Sequence, residues 1–265
     1  MSTKIIVCLC DEAEEKMWWT QNTDIPILVY NKGTKNLSSK FSHLETIKIE
    51  NIGREEYVYI KYIVDNYNNL PNRVIFTQAL PLDHSPDFIK LLNQTENFSP
   101  VQPLSFYYDK YVPGLQLLIL SKRFFLNNCK IHIEFFDEDL KKYYSPTGKT
   151  YYFPGGSLQS NLNLDQTFYK FLGTNVNLRT KMHQLCGIET RQILGHDLTP
   201  MCHAALFSVT KEKILAKPKE FYENLLSLST EMHYRIEQKA FSWIMEMMWL
   251  EIFGYDPPLE LFFPT

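Results

Sequence analysis

Two spacings of apolar residues alternate along the first 80 positions of this chain. Short continuous runs read as strands buried on both faces: Ile5-Ile6-Val7-Cys8-Leu9-Cys10 within residues 4–10, Ile27-Leu28-Val29-Tyr30, and Val74-Ile75-Phe76-Thr77. A weaker run at residues 46–49 predicts a further short strand. Between residues 53 and 71 the spacing is helical: Tyr57, Ile60, Ile63, Val64 and Tyr67 share one face, which predicts a helix packed on the sheet. Glu55 and Glu56 occupy its first turn, where the helix dipole favours negative charge, and Leu70-Pro71 stops it. Residues 14–19 predict a short helix, Asn31-Lys32-Gly33 a turn, and residues 34–43 a polar connection. The order strand, helix, strand, loop, strand, helix, strand predicts an α/β fold with a mostly parallel central sheet flanked by helices. In such a sheet ligands bind beyond the carboxyl ends of the strands. That places Cys10, Asp11, Glu12, Asn31, Lys32 and the stretch from Gln78 to His84 at the candidate site.

The pattern loosens over residues 85–200. Residues 86–92 predict a short helix and residues 107–114 an aromatic loop. Residues 115–120 and 130–136 are apolar runs that fit either type. Residues 143–160 form a turn-rich insertion with Pro146-Thr147-Gly148 and Pro154-Gly155-Gly156, and residues 168–171 a helical piece. Long irregular segments in compact domains are usually functional loops, so an acceptor-binding surface and a variable decoration both fit. Regularity returns with a predicted strand over residues 204–209, a helical turn over 211–216 and a helix over 218–227 opened by Pro218. A last helix runs over about 230–253, with Phe241, Ile244, Met245, Met248, Trp249 and Ile252 on one stripe and Gly254 as its C-cap. Glu246 flanks that stripe. A carboxylate there is either a solvated boundary residue or a base with a pKa raised by partial burial.

Composition narrows the class. Of 265 residues, 45% are hydrophobic and 22% charged, which describes a folded globular protein with ample core. The net charge of −3 gives no reason to expect a nucleic-acid partner. Five Cys without a C-x-x-C pair point to reduced thiols, no zinc site and a cytoplasmic setting. No secretory leader is visible, and no apolar run reaches the roughly 18 residues of a membrane span. Neither a Gly-x-Gly-x-x-Gly nor a Walker pattern occurs, which weighs against dinucleotide and P-loop enzymes.

Two stretches resemble a known family. The first comprises Gly53-Arg54-Glu55, Tyr59-Ile60, Ile63, Tyr67, Leu70-Pro71, Phe76, Gln78, Pro81 and His84. The second comprises Ala205, Phe207-Ser208-Val209, Ile214, Pro218, Phe221-Tyr222, Leu225-Leu226, Met245-Glu246, Trp249 and Ile252-Phe253-Gly254. Together they resemble a family of fungal and viral proteins long labelled a domain of unknown function. Its large-virus members, chlorovirus ones included, are linked to making capsid glycans, and its fold resembles GT-A glycosyltransferases. Among viral members the chain is similar in kind to a chlorovirus capsid-glycan xylosyltransferase. The resemblance covers both ends, roughly half the chain. It implies one GT-A-like domain, with a nucleotide-sugar-binding half over residues 1–100 and an acceptor-binding half over residues 101–265. It also implies a UDP-sugar donor, with xylose as one candidate sugar, a glycan or glycoprotein acceptor, and a place in host cytoplasm for a viral protein.

One departure bears on mechanism. A GT-A enzyme typically carries Asp-x-Asp after a central strand to hold a divalent cation against the donor diphosphate. The equivalent stretch here reads Gln78-Ala79-Leu80-Pro81-Leu82-Asp83-His84. Asp83 and His84 are the candidate metal ligands, for Mn²⁺ more readily than Mg²⁺ because one is an imidazole. The alternative is a cation-independent enzyme in which Arg54 or Lys32 neutralises the diphosphate. Cys10, Asp11, Glu12, Asn31, Lys32, Arg54 and Gln78 are then the donor-binding candidates. Glu246 is the first candidate for the base that takes the acceptor proton and Asp197 the second, while His196 and His203 flank a loop that could also reach the diphosphate. Two other classes stay open. One is a non-catalytic glycan-binding or virion protein on a decayed transferase fold. The other is a glycan hydrolase using two carboxylates, for which Asp83 and Glu246 are the candidate pair.

Overall fold

In the computed structural model, residues 2–12, 14–105, 122–126, 129–137, 178–192, 198–235 and 238–257 are described. Strand β1 (Thr3–Leu9) is the centre of the parallel part of the sheet, flanked by β2 (Ile27–Asn31) and β4 (Arg73–Gln78), both parallel to it. Strand β3 (Glu45–Lys48) adds a parallel edge to β2. On the other side β9 (Phe207–Thr210) pairs antiparallel with β4, and β5 (Val101–Pro103) antiparallel with β9. The order is β3-β2-β1-β4-β9-β5, an α/β architecture with a mostly parallel mixed central sheet flanked by helices. It draws strands from both sides of residue 100. A second, three-stranded antiparallel sheet is formed by β6 (Lys122–Leu126), β7 (Cys129–Asp137) and β8 (Leu198–Met201). The apolar run at 130–136 is therefore a strand.

The period of two in the strands sorts their side chains into two cores. Ile6 and Cys8, Leu28 and Tyr30, and Val74 and Phe76 face helices α1 (Glu55–Asn66), α5 (Lys219–His233) and α6 (Gln238–Ile252). Ile5, Val7 and Leu9, Ile27 and Val29, and Ile75 face Met17, Trp19 and the short helix α2 (Phe88–Leu92). Both faces of β1 are covered, which explains its unbroken apolar run. All four residues of β3 are exposed, and its Glu45 and Lys48 place charge on an edge that would otherwise template further pairing. Helix α3 (Leu178–Leu185) packs against α6, and the short helix α4 (Lys211–Leu215) follows β9 directly.

Several expectations shift. Residues 14–19 form a longer 3-10 helix, Glu14–Asn22, pinned where Trp19 Nε1 donates to the Ala79 carbonyl at 3.0 Å. The buried face of α1 is broader than the stripe predicted: Val58, Tyr59 and Tyr62 are buried while Tyr57, Val64 and Tyr67 are only half-buried. The cause is that α1 packs against α5 and α6 as well as the sheet. The break between the last two helices falls after His233, not between residues 227 and 230. Thr230 Oγ1 bonds back to the Leu226 carbonyl at 2.9 Å and Ser229 is buried, so the polar run stays helical. Gly254 caps α6 as expected, with φ +63°; its N–H donates to Glu251 O and the Tyr255 N–H to Leu250 O, a Schellman pair. The strand expected from residue 204 begins only at Phe207, because Ala204 and Ala205 adopt left-handed φ of 59° and 49°. Residues 107–114, 115–120, 143–160 and 168–171, and the candidates His196 and Asp197, lie outside the described residues. Among the described residues no helix is long and apolar enough to cross a membrane.

Candidate functional site

The connection after β1 leads to β2 on one side, while β4 lies on the other, so the carboxyl ends of β1 and β4 form the switch point of the sheet. The loop before α1 is drawn to this edge by Lys32. Its ammonium group, on a residue 5% exposed, donates to the carbonyls of Ile52, Gly53 and Arg54 at 2.6, 2.8 and 3.0 Å. All three of its protons are thereby used, and the residue builds the loop that presents Arg54. Gly53 holds a φ of +60°, and a Cβ there would lie 2.7 Å from that of Tyr57 and 3.0 Å from Ser229 Oγ. Arg54 then occupies the N-cap of helix α1, and its N–H donates to both Glu56 oxygens at 3.0 and 3.1 Å. The Arg54 guanidinium is half exposed and lies 3.7 Å from Glu55.

Four glutamates gather at this edge. Glu56 is buried, accepts a second bond from Ser242 Oγ at 3.0 Å, and has its carboxyl pushed up to about 6 by burial and by Glu55. Glu12 accepts from the Cys10 N–H, and burial raises its carboxyl. Glu246 projects from α6 with slight residual exposure of the residue while its carboxyl group is enclosed by protein. Burial, then the neighbouring Glu55, push it up to about 7, against the pull of Arg54. Its Oε1 accepts the Ala204 N–H at 2.6 Å, and Gln78 Nε2 donates to the Ala204 carbonyl at 3.1 Å. The carboxylate and the amide hold the two left-handed alanines, a strain of about 1–3 kcal/mol each. Glu55 is the centre of this group: its charge reaches Cys8, Glu12, Glu56, Tyr59, His84 and Glu246.

The remaining candidates separate. Asp11, exposed and at φ 54°, accepts from Thr34 N–H at 2.6 Å and Thr34 Oγ1 at 3.0 Å, which holds its carboxyl below the usual range. Asn31 is buried; it accepts the Gly33 N–H at 2.9 Å and donates to Lys35 O at 2.8 Å. Asp11, Glu12 and Asn31 border a groove of about 590 Å³ between the β1 and β2 ends. Cys10 is a free thiol raised first by burial and then by Glu12. Asp83 is exposed and His84 half-buried, the imidazole lowered by burial against the pull of Asp83 and Glu55. Among the described residues no three His, Cys, Asp or Glu side chains are grouped to hold a metal ion. A cation on Asp83 and His84 would need further oxygens from its ligand and from water, the usual manner of Mg²⁺ at phosphate sites.

The structure therefore brings Glu12, Arg54, His84 and Glu246 around Glu55, with Cys10 beside Glu12, turns Lys32 and Asn31 to loop building, and uses Gln78 as a support of the Ala204 turn. The sequence reading missed Glu55, Glu56 and Tyr59 as site residues. The available signal is Glu55 and Tyr59 one helical turn apart at the carboxyl edge of the sheet; Glu55 reads as dipole compensation, and Tyr59 falls outside the predicted apolar stripe.

Residues 6–106, less than half of the chain, match a family model described as "Protein of unknown function (DUF3431)", which supports a domain family of unknown function for this stretch. No curated protein and no solved structure matches the chain. The matched span includes Lys32, Arg54, Glu55, Gln78 and His84, and it stops short of Ala204 and Glu246.

Proposed function

We propose that the chain is a glycosyltransferase that moves a sugar from a nucleotide-sugar donor to a hydroxyl of a glycan acceptor. The observation that carries the reading is Glu246: an enclosed carboxyl held near 7, at the carboxyl edge of a parallel sheet, beside an exposed arginine. A base poised near the working pH is what removal of an acceptor proton requires. Arg54 offers a cation to the charge that grows on a leaving diphosphate, the kind of electrostatic stabilisation that usually contributes most to catalysis. The groove bordered by Asp11, Glu12 and Asn31 suits a nucleoside, whose hydroxyls donate to carboxylates. The resemblance drawn from the sequence, which implies a GT-A-like fold, a UDP-sugar and a capsid-glycan acceptor, supports the same reading. The glutamates make this edge acidic, so a diphosphate needs help to approach. A divalent cation on Asp83 and His84 would supply a charge bridge between the diphosphate and the protein.

Thermal melting with a panel of UDP-sugars, each with and without Mn²⁺ or Mg²⁺, tests the reading. One sugar nucleotide should raise the melting temperature, and Arg54→Ala should abolish that rise. Asp83→Ala should remove any metal dependence. A second reading, a non-catalytic binding protein, is favoured by one observation: Lys32, Asn31, Asp11 and Glu56 spend their polar groups on the protein itself. It predicts no response to any nucleotide.

A further inference from the structure

The hydroxyl of Tyr59 is unexplained by the packing around it. Tyr59 sits one turn after Glu55 on α1, is fully buried, and its oxygen has no hydrogen-bond partner among the described residues. Its ring is wedged among Phe76 at 4.8 Å, Trp249 at 5.9 Å and Phe207 at 6.1 Å between centroids. The groups whose charge reaches its hydroxyl are Glu55, Cys8, Cys202 and Glu246. Cys202 already donates to the Leu206 carbonyl at 2.7 Å and contacts Ser105 Oγ at 3.4 Å. Cys8 is a weak partner at best. A buried hydroxyl is nearly always paired in native proteins, and here the unpaired donor sits one helical turn after Glu55 on α1, its ring against Trp249, which follows Glu246 by one turn on α6.

We propose that Glu55, Tyr59 and Glu246 form a binding site for one hydroxyl oxygen, supplied by water or by an alcohol group of a sugar. The oxygen accepts from Tyr59 and donates to Glu246 or Glu55. A water, with two protons, satisfies both carboxylates and has three partners, a usual number for an internal water. A sugar hydroxyl, with one proton, binds Tyr59 and one carboxylate, which places that proton on the path to the base. Only this second source rests on the transferase reading; the water site stands without it.

Tyr59→Phe removes the hydroxyl and keeps the ring, so the fold is retained. Melting of the wild type and the variant is compared alone and with methyl xyloside or methyl glucoside. A water-held site predicts that the variant melts about 2–4 °C lower without any sugar, the effect of one lost hydrogen bond in a chain of this size. An alcohol-held site predicts equal melting without sugar, a rise for the wild type with a methyl glycoside, and loss of that rise in the variant. Glu55→Gln should reduce the same rise. A Tyr59→Phe protein that melts at or above the wild type and shows no difference with either glycoside overturns the proposal. Donor binding is not read in this experiment, so failure of the transferase reading would show separately, in the nucleotide-sugar melts.

Discussion

Lys32→Met separates a structural role from a ligand-binding one. The ammonium is buried and donates to three carbonyls, those of Ile52, Gly53 and Arg54. Methionine fills a similar volume and cannot donate. Ile52 and Gly53 are themselves buried, so at least two carbonyls would be left dry. Each buried polar group left unsatisfied costs about 1–3 kcal/mol, and two of them set a loss of about 2–6 kcal/mol before any compensation. The energy lost with the ammonium is partly returned, because its own desolvation no longer opposes folding. In urea unfolding the midpoint should fall by about 1 M with an unchanged slope. A midpoint within about 0.2 M of the wild type would refute the assignment and return Lys32 to the list of donor-binding groups.

Three further outcomes are expected. Glu246, at about 7, and Glu56, at about 6, bind their protons more tightly in the folded state than at their ordinary value of 4.5. Their contribution is complete below about pH 4.5 and is lost as pH rises through 6 and 7. For Glu246 alone the loss is about 3 kcal/mol, so the unfolding free energy of Glu246→Gln should change less between pH 5 and 8 than that of the wild type; parallel curves would count against the burial described. Gly53→Ala must place a Cβ against Tyr57 at a left-handed φ and should lower stability by about 1–3 kcal/mol, read as a fall in melting temperature, while Gly187→Ala, also at a left-handed φ but with its Cβ in ordinary contact with Phe221 at 3.8 Å, should lose less. Glu251 is buried between Arg179 at 3.8 Å and Arg191 at 3.0 Å, so Glu251→Gln removes the charge opposite both arginines, although Arg191 keeps Asp256 at 2.6 Å, and should lose about 1.5–3 kcal/mol in chemical unfolding.

Much of the fold was legible in the chain because its signals are local. Unbroken apolar runs rich in β-branched residues fit burial on both faces, so β1, β2 and β4 are readable from the sequence as the middle of a parallel sheet. Gly254 was readable as a cap because few other residues take its φ without cost. The carboxyl edge followed from the order of elements alone, and with it the neighbourhood of Cys10, Glu12 and His84. Partnership was not readable. Lys32 reads as a free cation in sequence, and only the tertiary structure brings three carbonyls from twenty residues away to its ammonium. Ala204 and Ala205 read as strand, since nothing local forbids it; the left-handed turn accompanies hydrogen bonds from Gln78 on β4 and to Glu246 on α6. Glu55 reads as a first-turn acid. Its place among Glu12, Glu56, His84 and Glu246 is set by how α1, α6 and the β1 and β4 ends pack together. Spacing records which face of an element is apolar. The charge that a carboxyl group meets, and hence its pKa, depends on distances between elements far apart in the chain, and those are decided by packing.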